Sequence, residues 1–240
     1  MSTALVTGAT SGIGWAIAQE LASAGHHVLA LGRNPAALGR IGALAGVTPI
    51  AVDLTDAEAV ARALHGHDPE ILVNNAGVVP SPGPFAASIA AETDHAIAVN
   101  LTAQIALTRA VLPGMLARGR GHVFFTGSVA AQSPAANMAV YSATKAGLSA
   151  FARALREEVR GKGVRVTEIV AGRVQTDLYR SVLTEAQRAA LYEGGTAVQP
   201  EDVAHMVRVV LDLPDSAEIS RFEIIPTRSG AAVPMAEAAR

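Results

Sequence analysis

Tyr141 and Lys145 stand four residues apart in the run Tyr141-Ser142-Ala143-Thr144-Lys145. On an α-helix that spacing places two side chains one above the other on one face. A phenol beside an ammonium is an acid made easier to ionise: the cation favours phenolate and draws a pKa of about 10 toward neutrality. A general acid or base needs such tuning. The pair alone is more often a half-buried tyrosine beside a solvated lysine, so the reading depends on the rest of the chain. The second stretch with chemical potential is Thr7-Gly8-Ala9-Thr10-Ser11-Gly12-Ile13-Gly14. Its glycines let the backbone turn sharply and approach a ligand. A helix starting there aims unpaired N–H groups and a positive dipole end at whatever sits above it. Three glycines and two hydroxyls in this turn suit a pyrophosphate better than a plain strand–helix junction. The spacing is Gly-x-x-x-Gly-x-Gly, not the Gly-x-Gly-x-x-Gly of the general dinucleotide fingerprint.

Elements that could position these residues follow from the apolar pattern. Short apolar runs at Thr3–Val6, His27–Leu31, Val47–Val52, Ile71–Val73, His122–Thr126, Val164–Val170 and Phe222–Ile225 read as seven strands. They are apolar throughout rather than alternating, as parallel strands covered on both faces are. Helical spacing appears between them, from Ile13 to Ala22, over Ala36–Leu44, from Asp56 to Leu64 with Thr55 or Asp56 as N-cap, from about Ser88 to Arg118, over Tyr141–Arg160, and from Pro200 onward. The expected fold is α/β: one doubly wound, Rossmann-type sheet with helices on both faces, spanning 1–240 as a single domain with a frayed tail over 229–240. Hydrophobic residues make up 50% and aromatics 4%, so Ala, Val, Leu and Ile must fill the core. A net charge of −2 without a block of like charge gives no nucleic-acid surface. There is no cysteine, hence no disulfide framework or thiolate chemistry. No continuous apolar run reaches the ~18 residues of a membrane span, and a cytoplasmic setting is the expectation. His65 and His67 sit two apart in an expected loop, and no carboxylate or cysteine constellation completes them as a metal site.

Thr7-Gly8-x-x-x-Gly12-Ile13-Gly14, Asn74-Asn75-Ala76-Gly77, Ser128 and Tyr141-x-x-x-Lys145 occur in the order and spacing of the short-chain dehydrogenase/reductase family, which the chain resembles over about residues 2–228. The resemblance implies a sheet in the order 3-2-1-4-5-6-7. It implies that Gly8, Thr10, Ser11, Gly12, Ile13 and Gly14 hold a dinucleotide, that Asp53 with Leu54 meets its adenine, and that Asn75, Ala76 and Gly77 flank the adenosine ribose, with Asn74 bracing the sheet. It also implies that Gly172, Val174 and Thr176 orient the nicotinamide carboxamide. Ala171 stands where the family has proline, which should loosen that turn. Asn100 is a poor residue for a helix interior; the family's matching Asn loosens the helix and holds a water linked to the active-site lysine. Ser128 ends the fifth strand, where doubly wound folds place ligands, and its hydroxyl could donate to a substrate carbonyl while Tyr141 delivers the proton.

The end of the second strand bears on the cofactor. An acid about 20 residues after the Gly-rich turn would bond the ribose 2′-hydroxyl and repel a 2′-phosphate. The site reads Gly32-Arg33 instead, and a guanidinium can clamp a phosphate with two parallel hydrogen bonds. NADP(H) is therefore expected rather than NAD, the alternative being that Arg33 is merely a solvated turn residue, and Ser11 stands where many NADP-preferring relatives carry a second base. The expected activity is carbonyl–alcohol interconversion on a small ketone or aldehyde. Catalysis would rest on Asn100, Ser128, Tyr141 and Lys145, with Lys145 also holding the nicotinamide ribose. A pocket of Val78–Phe85, Val129–Met138 with Gln132 and Asn137 as polar contacts, and a mobile lid over 177–195 would take the substrate. The chain's end is similar to those of the 3-hydroxy-acid and clavulanate-type dehydrogenases of the family. A catalytically silent nucleotide sensor and a dehydratase or epimerase remain open on the same scaffold. Relatives pair through the two long Ala-rich helices, which implies a homodimer or homotetramer.

Overall fold

The computed structural model describes residues 2–228, so the tail expected to fray lies outside the described residues. Seven parallel strands form one sheet in the order β3-β2-β1-β4-β5-β6-β7. They are β1 (Thr3–Thr7), β2 (His27–Gly32), β3 (Val47–Ala51), β4 (Ile71–Asn74), β5 (Gly121–Ser128), β6 (Val164–Ala171) and β7 (Arg221–Ile224). The seven strands and their order agree with the expectation from the sequence; individual ends differ by one or two residues.

The sheet reads as apolar throughout because successive side chains of each strand feed opposite cores. Ala4, Val6, Val28, Ala30, Val73 and Phe124 meet α1 (Gly12–Ser23), α2 (Pro35–Gly42) and α8 (Pro200–Leu211) through Ile17, Leu21, Ile41, Val203 and Val207. Leu5, Leu29, Leu72, Val123 and Phe125 meet the other layer: α3 (Ala57–Leu64), α5 (Ala103–Arg118) and α6 (Ala139–Val159). Local chemistry sets the helix starts. Asn34 accepts from the N–H of Ala37 with Pro35 in the first turn of α2, and Asp56 accepts from Ala59 to cap α3. Asn74 is fully buried and donates from Nδ2 to Thr108 Oγ1 at 3.0 Å, tying β4 to α5.

The long helical stretch expected from about Ser88 to Arg118 runs from Ala90 to Arg118 with a π turn inside it. It comprises α4 (Ala90–Ile97), a π-helical turn over Ala98–Thr102, and α5. By length and hydropathy the whole Ala90–Arg118 segment could cross a bilayer. In the fold it lies on the sheet and turns Asn100, Gln104 and Thr108 inward to hydrogen-bond partners.

One buried titratable group links the core to pH. His122 on β5 stacks on Phe124 at 4.0 Å and shares a 2.8 Å hydrogen bond with Thr167 Oγ1. Thr167 spends its proton on the Ile219 carbonyl, so His122 Nε2–H must donate and Nδ1 stays unprotonated. Burial, helped by Arg165, pushes the His122 pKa well below its ordinary value. The folded protein then resists a proton that the unfolded chain accepts below about pH 6.5, so stability falls with pH below that point and is fully present above it. The urea midpoint should drop between about pH 7 and pH 5, and His122→Gln, which keeps a donor but cannot titrate, should flatten that drop. An unchanged slope would remove His122 from the account.

Candidate active site

The carboxyl ends of β1 through β6 open into a cavity of about 650 Å³. Its floor is the turn between β1 and α1. Gly8 has a φ of +63°, and a Cβ on Gly14 would come within 2.3 Å of the Gly8 carbonyl oxygen. The turn can close only with glycine at both ends. Thr7 anchors it: its hydroxyl donates to the Val73 carbonyl and accepts from the N–H groups of Asn75 and Ala76. Ser11 occupies the N-cap position of α1 without capping it through its side chain, and no acid lies in the first turn. The donors and dipole of α1 thus face the cavity, an arrangement fitted to phosphate.

Gly32 and Arg33 at the end of β2, and Asp53 and Leu54 beyond β3, line the same cavity. Arg33 lies 3.5 Å from Asp53, with both side chains about half exposed. Asp53 also accepts from the backbone N–H and hydroxyl of Thr55; these bonds, with Arg33, keep its carboxyl below its ordinary pKa. Opposite, Asn75 crosses from β4 to both neighbours, donating to the Thr7 carbonyl and accepting from Thr126 Oγ1.

Ser128, Tyr141 and Lys145 converge on one wall of the cavity. Ser128 Oγ accepts from the N–H of Ala130, leaving its own proton free to be donated. Tyr141, 7% exposed, lines the same wall, and the Ser128 hydroxyl acts on its pKa. Lys145 is 3% exposed; its Nζ donates to the Thr126 carbonyl at 2.8 Å and lies 5.8 Å from the centre of the Tyr141 ring. Asn100 sits behind them, fully buried in the π-helical turn. Its amide exchanges two 2.8 Å bonds with the backbone of Val78 and donates to Thr144 Oγ1. A π turn frees backbone groups from the α ladder.

The expectation that Lys145 would draw the Tyr141 pKa toward neutrality is corrected here. Burial raises it above its ordinary value, and the Ser128 hydrogen bond only partly opposes that. The reason is desolvation of a phenolate in a closed wall, while Lys145 itself is lowered to about 8 by burial and is engaged with Thr126.

A family model for short chain dehydrogenases matches residues 2–187. The chain belongs to the short-chain dehydrogenase family. It is 46% identical over 225 residues to an uncharacterized short-chain type dehydrogenase/reductase of Sinorhizobium fredii, covering 93% of this chain and 91% of that one. It is 35% identical to an NADP-dependent 3-hydroxy acid dehydrogenase of Salmonella typhi, covering 92% and 94%. The closed form of a serine dehydrogenase complexed with NADP+ superposes with a TM-score of 0.91 at 33% identity, covering 97% and 98%.

In this dehydrogenase the cavity gathers nearly every residue singled out from sequence: Gly8, Thr10, Ser11, Gly12, Ile13, Arg33, Asp53, Leu54, Asn75, Ala76, Gly77, Ser128, Tyr141, Lys145, Gly172, Val174 and Thr176. Gly14 and Asn100 stand behind the wall. Ala171, which stands where the family has proline, is held in the sheet. It pairs with Ser128 and Ile224 as the last residue of β6, and the next N–H, on Gly172, bonds to Ile224. Val174 then bridges to Val198, with N–H groups of Gln175 and Val198 bonded across. Gln132 and Asn137 do not line the cavity. Gln132 accepts from Arg221, and Asn137 takes a left-handed φ of 67° in its loop. The polar lining on that side is Ser133, Arg173, Tyr179 and Arg180 instead. Leu178 and Tyr179 pack with Val79 and Met138 against Tyr141, so the segment expected to form a lid covers the catalytic wall. Thr126 escaped the sequence reading because its contribution to Lys145 is a backbone carbonyl, which leaves no residue signature.

Proposed function

We propose that this short-chain dehydrogenase is an NADP(H)-dependent oxidoreductase that interconverts a carbonyl and an alcohol on a short substrate. The observation that carries the reading is the convergence of Ser128, Tyr141 and Lys145 opposite a helix N-terminus with uncapped donors. NADPH, when bound, supplies the hydride. The residues that would hold it are Thr10, Ser11, Gly12 and Ile13 at its phosphates, Arg33 at the 2′-phosphate, Asp53 and Leu54 at adenine, and Asn75 to Gly77 at the ribose. Gly172, Val174 and Thr176 would hold the carboxamide, and Lys145 the second ribose. Ser128 donates a hydrogen bond to the substrate oxygen, and Tyr141 donates the proton that the forming alcohol needs. A phenol whose pKa is raised by burial is fully protonated at neutral pH, which suits reduction. Lys145 as ammonium stabilises the phenolate left behind. Asn100 keeps the π turn and Val78 in place behind Lys145.

Two features support a short substrate with an anionic end. Arg173 and Arg180 line the substrate side of the cavity, with Asp177 beside Arg180 at 3.8 Å and Ser133 and Tyr179 as further polar lining. Both the 3-hydroxy acid dehydrogenase and the serine dehydrogenase are named for substrates that carry a carboxylate. The test is NADPH consumption, followed by absorbance, over a panel of short ketones, aldehydes and keto acids, with NADP reduction by 3-hydroxy acids as the reverse assay. Turnover of at least one carbonyl acid above its neutral analogue is expected. A protein that binds NADPH yet turns over none of the panel would overturn the proposal.

A further inference from the structure

Glu168 is a buried carboxylate that the mechanism above does not use. It lies on β6, is 3% exposed, and points into the α6 layer of the sheet. Its Oε2 accepts from Ser149 Oγ at 3.0 Å, and its Oε1 has no hydrogen-bond partner. A charge taken out of water without a partner is costly, and such groups persist where an opposite charge or a function compensates. No salt bridge to Glu168 exists among the described residues. Its register partner on β7, Arg221, is turned to Gln132 and Glu223.

Geometry directs the carboxylate to Lys145. Ser149, which holds it, is one helical turn beyond Lys145 on the same face of α6. On β5, a Cβ on Gly127 would stand 2.7 Å from Glu168 Oε1, so the carboxylate occupies the space that a side chain at 127 would fill. Gly127 follows Thr126, whose carbonyl takes the Lys145 ammonium. The amine and the carboxylate therefore approach the same two residues of β5. Of the charged groups on other elements, Arg173, Asp177 and Arg180 line the same cavity, with Asp177 paired to Arg180. The π turn presents the Asn100 amide, α6 and the covering segment present the phenols of Tyr141 and Tyr179, and on α4 Glu92 is held by Ser81 while Asp94 and His95 are exposed.

We propose that Glu168, fixed by Ser149 and admitted by the missing side chain at Gly127, is a positioning residue that acts as the buried counter-charge keeping Lys145 an ammonium. Burial pulls Lys145 down to about 8, and Glu168 is the group that opposes that fall. Without it the amine would lose its proton close to neutral pH and could not stabilise a Tyr141 phenolate. The inference deepens the carbonyl-reductase reading and rests on it for its consequence, but its primary test needs no turnover, so the two can fail separately.

The chain has only two lysines, Lys145 and Lys162, and Lys162 is in an exposed turn after α6. In protein labelled with carbon-13 at lysine Cε, two resonances are therefore expected, and Lys162→Arg identifies the one from Lys145. Its titration midpoint is expected near 8 in the wild type, and about one pH unit lower in Glu168→Gln. Glu168→Leu, which fills the space with no polar group at all, is the second variant should the amide fail to pack, and it must lower the midpoint as well. Glu168→Asp should restore part of the shift. If the reductase assay is in hand, the alkaline limb of kcat/KM should move down with the midpoint, and Glu168→Asp should move it back, a pattern that general loosening of the core would not produce. A Lys145 midpoint in the folded Gln or Leu variant equal to or above that of the wild type would overturn the inference.

Discussion

Tyr141→Phe is expected to lower kcat for carbonyl reduction by about a hundred- to ten-thousand-fold, the range that a positioned proton donor contributes. The argument is one of geometry and charge. Tyr141 lies on the cavity wall with Ser128 beside it and Lys145 behind the ring, and no other phenol occupies that position. Tyr179 packs against Tyr141 but belongs to the covering segment. Phenylalanine fits the same buried volume, so the fold and the dinucleotide cradle across the cavity should be untouched. The measurement is steady-state turnover beside NADPH affinity by fluorescence. A large fall in kcat with affinity retained is the expected pair of results. Full turnover in the variant would end the assignment of Tyr141. Because burial raises the Tyr141 pKa, the phenol stays protonated through neutral pH; the alkaline loss of reductase activity should then track Lys145, near 8.

Arg33→Asp is expected to exchange the preferred dinucleotide. A charge-assisted hydrogen bond contributes about 1.5–3 kcal/mol, so kcat/KM with NADPH should fall roughly ten- to a hundredfold. An acid there repels a 2′-phosphate and bonds a 2′-hydroxyl, so the value with NADH should rise. Arg33 already pairs with Asp53 across 3.5 Å, but both are exposed enough that losing the pair should alter stability little. Kinetics with both dinucleotides, with thermal melting as a control on folding, decide the matter. An unchanged NADPH preference would leave Arg33 as a surface turn residue and would move the source of selectivity to Ser11 or elsewhere in the Gly-rich turn.

Much of the architecture was legible in the residues because it is local. Seven apolar runs, punctuated by Gly, Pro and Asn, specify parallel strands, since a strand covered on both faces has no polar side to display. The glycines of the first turn could be assigned to a close backbone approach because no other residue tolerates it, and Gly14 against the Gly8 carbonyl bears that out. The long helix expected from Ser88 to Arg118 is there from Ala90, and the π turn inside it has a cause that is only partly local. Asn100 competes for backbone groups, but only the strand-end loop at Val78 supplies the partners that make a π turn worthwhile.

What the order of residues by itself determined is the set of reactive types, their spacing along helix and strand, and hence the family and the sheet. What folding decided is every quantity that depends on groups distant in the chain. The Tyr141 pKa rises instead of falling because burial is a property of the whole wall, not of a neighbour four residues away. The N–H that follows Ala171 is bonded only because β7, far along the chain, lies beside it. Glu168 reaches Ser149 of α6 and fills the space over Gly127 of β5 because segments distant in sequence are adjacent in space. Spacing along a chain can name a pair of groups, but solvation and charge balance are summed over all neighbours, and only the packed structure assembles them.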